Sequence, residues 1–128
     1  MEFKSSRNFP LLLASISGFK AVALGAFGAH ILKSILSQDS LSIFETGSRY
    51  QLIHSVVLLV LSIGPWFQKS SLIRLSYWFF FSGIFLFSGS LYILAISGVK
   101  ILGAVTPLGG LCFLSGWALL GCAAWKNR

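Results

Sequence analysis

His30, His54, Glu45, Lys20, Cys112 and Cys122 are the side chains in this sequence best suited to chemistry beyond packing. Imidazole and carboxylate groups ligate metals, so the first three form the set worth weighing as a metal site. No two of them stand at a tight ligand spacing, and Glu45 is already used as the last residue of a capping box, Ser42-Ile43-Phe44-Glu45. No metal and no cofactor is therefore expected. His54 lies in an apolar run, where an ionisable group is by default a candidate proton relay or ligand-binding group. A neutral imidazole hydrogen-bonded across helices to Ser, Tyr or Gln is the simpler reading and the favoured one.

Lys20 stands about 11 residues, roughly 16 Å, into the first apolar run at 1.5 Å per residue. Pairing with a ligand or a lipid phosphate is one reading, but no carboxylate shares its depth, and a snorkelling lysine is favoured. Cys112 and Cys122 lie in one apolar run that, as a helix, holds their α-carbons roughly 15 Å apart. A disulfide needs less than about 7 Å. Both read as small, buried packing residues. Nucleophilic catalysis finds no footing, since there is no G-x-S-x-G and no Cys–His pair with an orienting acid. Two of the three acids lie in or near loops, which argues against a carboxylate-driven pump. No enzymatic activity is assigned.

The elements that must position these groups follow from composition. Of the 128 residues, 55% are apolar, 15% aromatic and 10% charged. The mean hydropathy is +0.84. A soluble domain carries about a quarter charged residues, so this is an integral membrane protein. The same arithmetic removes disorder and a secreted disulfide scaffold. The net charge of +7 comes from bases scattered between apolar runs, which is a topology signal and not a nucleic-acid footprint.

Apolar runs long enough to cross a bilayer fall at 9–31, 50–67, 73–96 and 105–125, within a single domain covering 1–128. The fold class expected is all-α, a four-helix transmembrane bundle. The second span is short, and an amphipathic lead-in from Ile43 extends it until Gly64-Pro65 ends the helix. Lys33–Ser40 is polar and reads as the longest loop. The third is dense in aromatics from Tyr77 to Phe81, and the fourth opens with Thr106 as N-cap and Pro107 in the first helical position. With four spans, Lys4, Arg7, Lys69, Arg74, Lys126 and Arg128 share one side against Lys33, Arg49 and Lys100 on the other. The positive-inside rule then places the N- and C-termini in the cytoplasm. A cleaved signal peptide over 1–29 is the rival reading, but the apolar stretch runs on to Leu32, too long for such a segment.

Close helix contact in lipid depends on small residues. Span one offers Ser17, Ala21, Gly25 and Ala29 at i+4 steps, span three pairs Gly83 with Ser90 and Ser82 with Gly89, and span four offers Gly109, Gly116 and Ala123 at i+7. On the second helix Gly47, Tyr50, Gln51 and His54 share a stripe. Topology brings His30, Tyr50, Gln51, His54, Ser90 and Thr106 into one leaflet as a polar cluster, with the N-terminus of helix four and Gly109-Gly110 aimed into it. The segment Gly25 to Gly28 is no nucleotide fingerprint, for no strand precedes it.

Several ordered motifs resemble a known family: Gly25-Ala26-Phe27-Gly28-Ala29-His30, Thr46-Gly47 with Tyr50-Gln51 and His54, Phe87-Ser88-Gly89-Ser90 with Tyr92, Thr106-Pro107 with Gly109-Gly110, and Gly116-Trp117. The match, from about Leu13 to Leu120, is to the small membrane-protein family that includes transmembrane protein 256, whose bacterial branch is a domain of unknown function. The resemblance implies four transmembrane helices and residence in the bacterial cell (inner) membrane, and brings no activity, substrate or cofactor. Lys20 departs from it, since the family carries an apolar or small residue there. The function expected is a non-enzymatic membrane component with an accessory, assembly or packing role. A small-molecule or proton-coupled transporter or channel acting as an oligomer is the alternative, and a metal-binding membrane enzyme the second. The lipid bilayer and a second copy of the chain are the expected partners, nucleic acid is not, and any small-molecule ligand is left unknown.

Overall fold

A computed structural model describes residues 5–127; Glu2, Lys4 and Arg128, which entered the charge count, lie outside the described residues. Helix α1 runs over Ser5–Ala23 and continues through a widened π-helical stretch, Leu24–Gly28, into Ala29–Leu32. Helix α2 is Gln38–Ile63, α3 is the short Trp66–Lys69, and α4 is Ser71–Gly83 carried through π-helical Ile84–Gly89 into Ser90–Ser97. Helix α5 is Leu102–Lys126. Three segments, Phe9–Leu32, Ser71–Ser97 and Leu102–Lys126, are long and apolar enough to cross a membrane. Helix α2 is as long at 26 residues, but Arg49, Gln51 and His54 lower its hydropathy.

Two helix starts differ from expectation, each for a physical reason. Helix α2 begins at Gln38, capped by Ser37, whose hydroxyl accepts the Ser40 N–H at 3.2 Å. Asp39 in the first turn complements the positive helix end. Ser42 to Glu45 therefore lies inside the helix and is no capping box, with Thr46 Oγ1 donating to the Ser42 carbonyl at 2.9 Å. The loop shrinks accordingly. Helix α5 begins at Leu102, so Pro107 sits inside it and Thr106 is no cap. A bilayer makes every unsatisfied backbone group costly, so the helix continues past the proline, which frees only the Gly103 carbonyl one turn back. Beside it, Thr106 Oγ1 bonds the Leu102 carbonyl at 3.2 Å.

Helix α4 packs against both α2 and α5, α1 lies against α2 alone among the long helices, and α2 reaches α5 only through side chains, His54 meeting Phe113 and Trp117. The shared core holds Leu58, Tyr77, Phe80, Ile84 and Phe113. Tyr77, fully buried, ties α1 to this core by donating its hydroxyl to the Pro10 carbonyl at 2.7 Å. Large apolar side chains such as Phe19, Phe27, Phe85 and Leu114 face outward, which suits a surface solvated by lipid.

The expected packing residues divide. A Cβ at Gly109 would stand 2.2 Å from the Phe87 backbone nitrogen, and one at Gly116 2.7 Å from the Phe80 ring. These two let α5 close on α4. Gly47 sits against Tyr92 and Leu91, Gly25 faces Ser48 at ordinary contact distance, and Ala21 is buried. Ala29 is half-buried in the last turn of α1. Gly89 meets nothing within 4 Å and is not a packing glycine; it belongs to the widened turn of α4, which rotates its face out of contact. Cys112 is half-buried and Cys122 exposed, so the reading of both as buried fails for Cys122, which falls on the outer face of α5.

Candidate functional site

The buried face of α2 carries Gln51, His54 and Ser55 at i+3 and i+4 steps, and these meet all three other long helices. Gln51 Nε2 donates to the Ser17 carbonyl of α1 at 3.1 Å, and its Oε1 accepts the Tyr92 hydroxyl of α4 at 2.6 Å. Ser17 and Ser55 hydroxyls share a hydrogen bond at 2.7 Å, and Ser55 Oγ donates to the Gln51 carbonyl at 2.6 Å. The result is a polar seam through the middle of the bundle.

His54 lies one turn further along. Its Nδ1 is 2.8 Å from the Tyr50 carbonyl, and its Nε2 accepts the Trp117 indole N–H of α5 at 3.4 Å. A carbonyl can only accept and an indole N–H can only donate, so the two partners select the neutral tautomer with hydrogen on Nδ1. The ring stacks on Phe113, with centroids 3.7 Å apart and planes within 8°, and Phe80 lies at 5.5 Å. Tyr50, partly exposed, packs its ring on Phe87 at 4.6 Å and places no polar side-chain contact in the seam.

Ser90 and Thr106 form a separate joint between α4 and α5, their hydroxyls 2.7 Å apart. His30 is exposed at the far end of α1 and joins neither group. The single expected cluster is thus a seam around Gln51, a capped imidazole at His54 and a joint at Ser90–Thr106, with His30 elsewhere. The earlier start of α5 also takes the helix N-terminus away from Gly109-Gly110, and the N–H groups of Leu102, Gly103 and Ala104 there donate to the Val99, Lys100 and Ile101 carbonyls at 3.2, 3.0 and 3.0 Å. His30, His54 and Glu45 stay apart, and no group of three or more metal-binding side chains occurs among the described residues. Lys20 is exposed, on the wall of an apolar cleft of about 310 Å³ between α1 and α4 that Ser17, Gln51 and Tyr92 also line.

A family described as "Protein of unknown function (DUF423)" matches residues 24–110. The UPF0382 inner membrane protein YgdD of Escherichia coli K12 is 44% identical over 118 residues, covering 88% of this chain and 86% of the relative. The UPF0382 membrane protein SAB0533 of Staphylococcus aureus is 38% identical, covering 91% and 94%. SERP0230 of Staphylococcus epidermidis, also a UPF0382 membrane protein, is 42% identical with the same coverage. The chain belongs to this family. No solved structure matches it.

The relatives' names carry a membrane location and no activity, and the DUF423 description carries neither. In this DUF423 chain several residues matter to the seam that sequence reasoning did not place there. Ser55 stands i+4 from Gln51, a spacing that would have found it. Phe113 and Trp117, the partners of His54, carry no such signal because they reach it across α5. Ser76 and Ser88 of α4 are fully buried with hydroxyls that have no partner among the described residues.

Proposed function

We propose that the chain is a non-enzymatic membrane component, with an accessory, assembly or packing role, in which α2 is the fourth span and both termini lie in the cytoplasm. The observation that carries this reading is how the two most reactive-looking groups of α2 are spent. Both nitrogens of His54 and both polar ends of Gln51 are committed to fixed partners on the backbone or on other helices. A proton carrier or a ligand-binding base needs a group that can exchange partners, whereas a fixed, fully stacked imidazole holds helices together.

The reading also takes a second copy of the chain as a partner. A groove of about 460 Å³ between α1 and α2 is lined by Val22, Gly25, Ala26 and Ala29, with Glu45 and Arg49 beside them. Small residues permit close approach, and a two-fold pair sets Glu45 of one copy against Arg49 of the other.

The deciding experiment reconstitutes wild type and His54→Phe in proteoliposomes. Phenylalanine keeps the stack on Phe113 and removes both ring hydrogen bonds. The expected outcome is a lower unfolding midpoint in SDS and the same ion and solute permeability for both proteins. A proton or solute flux present in wild type and absent in the variant overturns the reading in favour of a transporter.

A further inference from the structure

We infer that the end of the bundle built by α3, the start of α4 and the end of α5 is a binding site for the headgroup of an anionic phospholipid. An open cavity of about 460 Å³ lies there, lined by Trp66, Lys69, Ser70, Ser71, Lys126 and Asn127 among others. Three independent features give it that chemistry.

The first is uncompensated positive charge. Lys69 and Lys126 come from different helices, and neither ammonium has a hydrogen-bond or ion-pair partner among the described residues. The described acids, Asp39 and Glu45, both sit in the first two turns of α2, at the opposite end of that helix from this cavity. Arg74, a further base nearby, is already used: its Nη1 donates to the Phe67 and Gln68 carbonyls at 3.1 and 3.0 Å, locking α3 onto α4. The two lysines are left facing an open site.

The second feature is backbone. In the first turn of α4 the Ile73 N–H goes to Ser70 Oγ at 3.4 Å and the Arg74 N–H to the Ser70 carbonyl at 3.2 Å. Ser71 and Leu72, whose N–H groups precede any intrahelical bond, are lining residues of the cavity at the positive end of a long helix, an end suited to phosphate oxygens.

The third feature selects a lipid over a free anion. Trp66 is exposed on the cavity wall next to the ends of two helices long and apolar enough to span, and indoles favour the headgroup boundary where such helices end. From the cavity, α4 and α5 run on with exposed apolar side chains such as Leu75 and Leu114, surfaces of the kind acyl chains cover. Basic pockets between spanning helices are recognised sites for acidic lipid headgroups.

The test uses the full chain in detergent, titrated with phosphatidylglycerol or phosphatidylcholine and read by native mass spectrometry. Wild type is expected to retain phosphatidylglycerol in preference to phosphatidylcholine. Each lysine near an anionic headgroup is worth about 5-fold in affinity, so Lys69→Gln with Lys126→Gln should erase a preference of about 25-fold. Lys69→Arg with Lys126→Arg should keep it, and Lys100→Gln, whose lysine lies between α4 and α5 at the far end, should leave it unchanged. Both lysines are exposed, and an unchanged SDS unfolding midpoint confirms that the variants fold. Equal phosphatidylglycerol preference in the double Gln variant overturns the proposal. So does displacement of the bound lipid by millimolar glycerol 3-phosphate, which assigns the cavity to a soluble phosphate instead.

Discussion

Gln51 is the residue on which the seam turns, because one buried amide serves both the backbone of α1 and the tyrosine of α4. Gln51→Leu keeps the volume, strands the Tyr92 hydroxyl without its acceptor and removes the side-chain bond to the Ser17 carbonyl. The expected loss is about 1–3 kcal/mol, the cost of leaving a buried donor without an acceptor. Adding Tyr92→Phe removes the stranded group, so the double variant should recover part of that loss in SDS unfolding; a strictly additive double variant would show that the bond carries no coupling. His54 is the other side of the same lesson. Its ring was readable as a polar group inside a span, but its tautomer follows from Tyr50 behind it and Trp117 across from it. Trp117 stands 63 residues away along the chain.

At the scale of elements, α5 closes on α4 because its contact face has no side chains at the crossing points. Gly109→Ala places a Cβ 2.2 Å from the Phe87 nitrogen, and backbone cannot move aside as a flexible side chain can. A destabilisation of about 1–3 kcal/mol is expected, the usual cost of overpacking. Gly110→Ala, with nothing within 4 Å, should be neutral, and the pair compared in SDS unfolding separates contact from the loss of glycine itself. The path of α2 is tested through its neighbours. With Cys112 and Cys122 replaced by Ala, single cysteines at Ser34 and Asn127 should label from opposite sides of the membrane if α2 spans. Labelling from the same side means that α2 stays in one leaflet, since its crossing is what changes the parity of α4 and α5. The widened turns at Leu24–Gly28 and Ile84–Gly89 coincide with two motifs of the sequence, and each lets the helix change the face it presents without ending.

For the whole molecule, the open groove between α1 and α2 makes the sharpest prediction about assembly. Glu45→Arg or Arg49→Glu alone should weaken a dimer by setting like charges together, and the double exchange Glu45→Arg with Arg49→Glu should restore it, read as the dimer fraction in native mass spectrometry. Unaffected single variants remove that interface. Membrane residence, the all-helical class and the stripe on α2 were legible in the sequence, because a bilayer demands about 20 apolar residues per crossing and a helix returns to one face every three or four residues. Those are local properties. The starts of α2 and α5 were not legible, because a serine one turn earlier outcompeted the capping box and the bilayer's demand for satisfied backbone carried α5 through Pro107. The grouping of His30, Gln51, His54, Ser90 and Thr106 depended on how far each helix is rotated about its own axis. Side chains distant in sequence settle that rotation, as Phe113 does beneath His54 and Phe87 against Gly109. Composition and periodicity determined that this chain would be a bundle in lipid and marked the small-residue face at Gly109 and Gly116; only tertiary packing decided which of its polar groups meet, because spacing along one helix says which residues share a face and not which side chains of another helix that face is turned to.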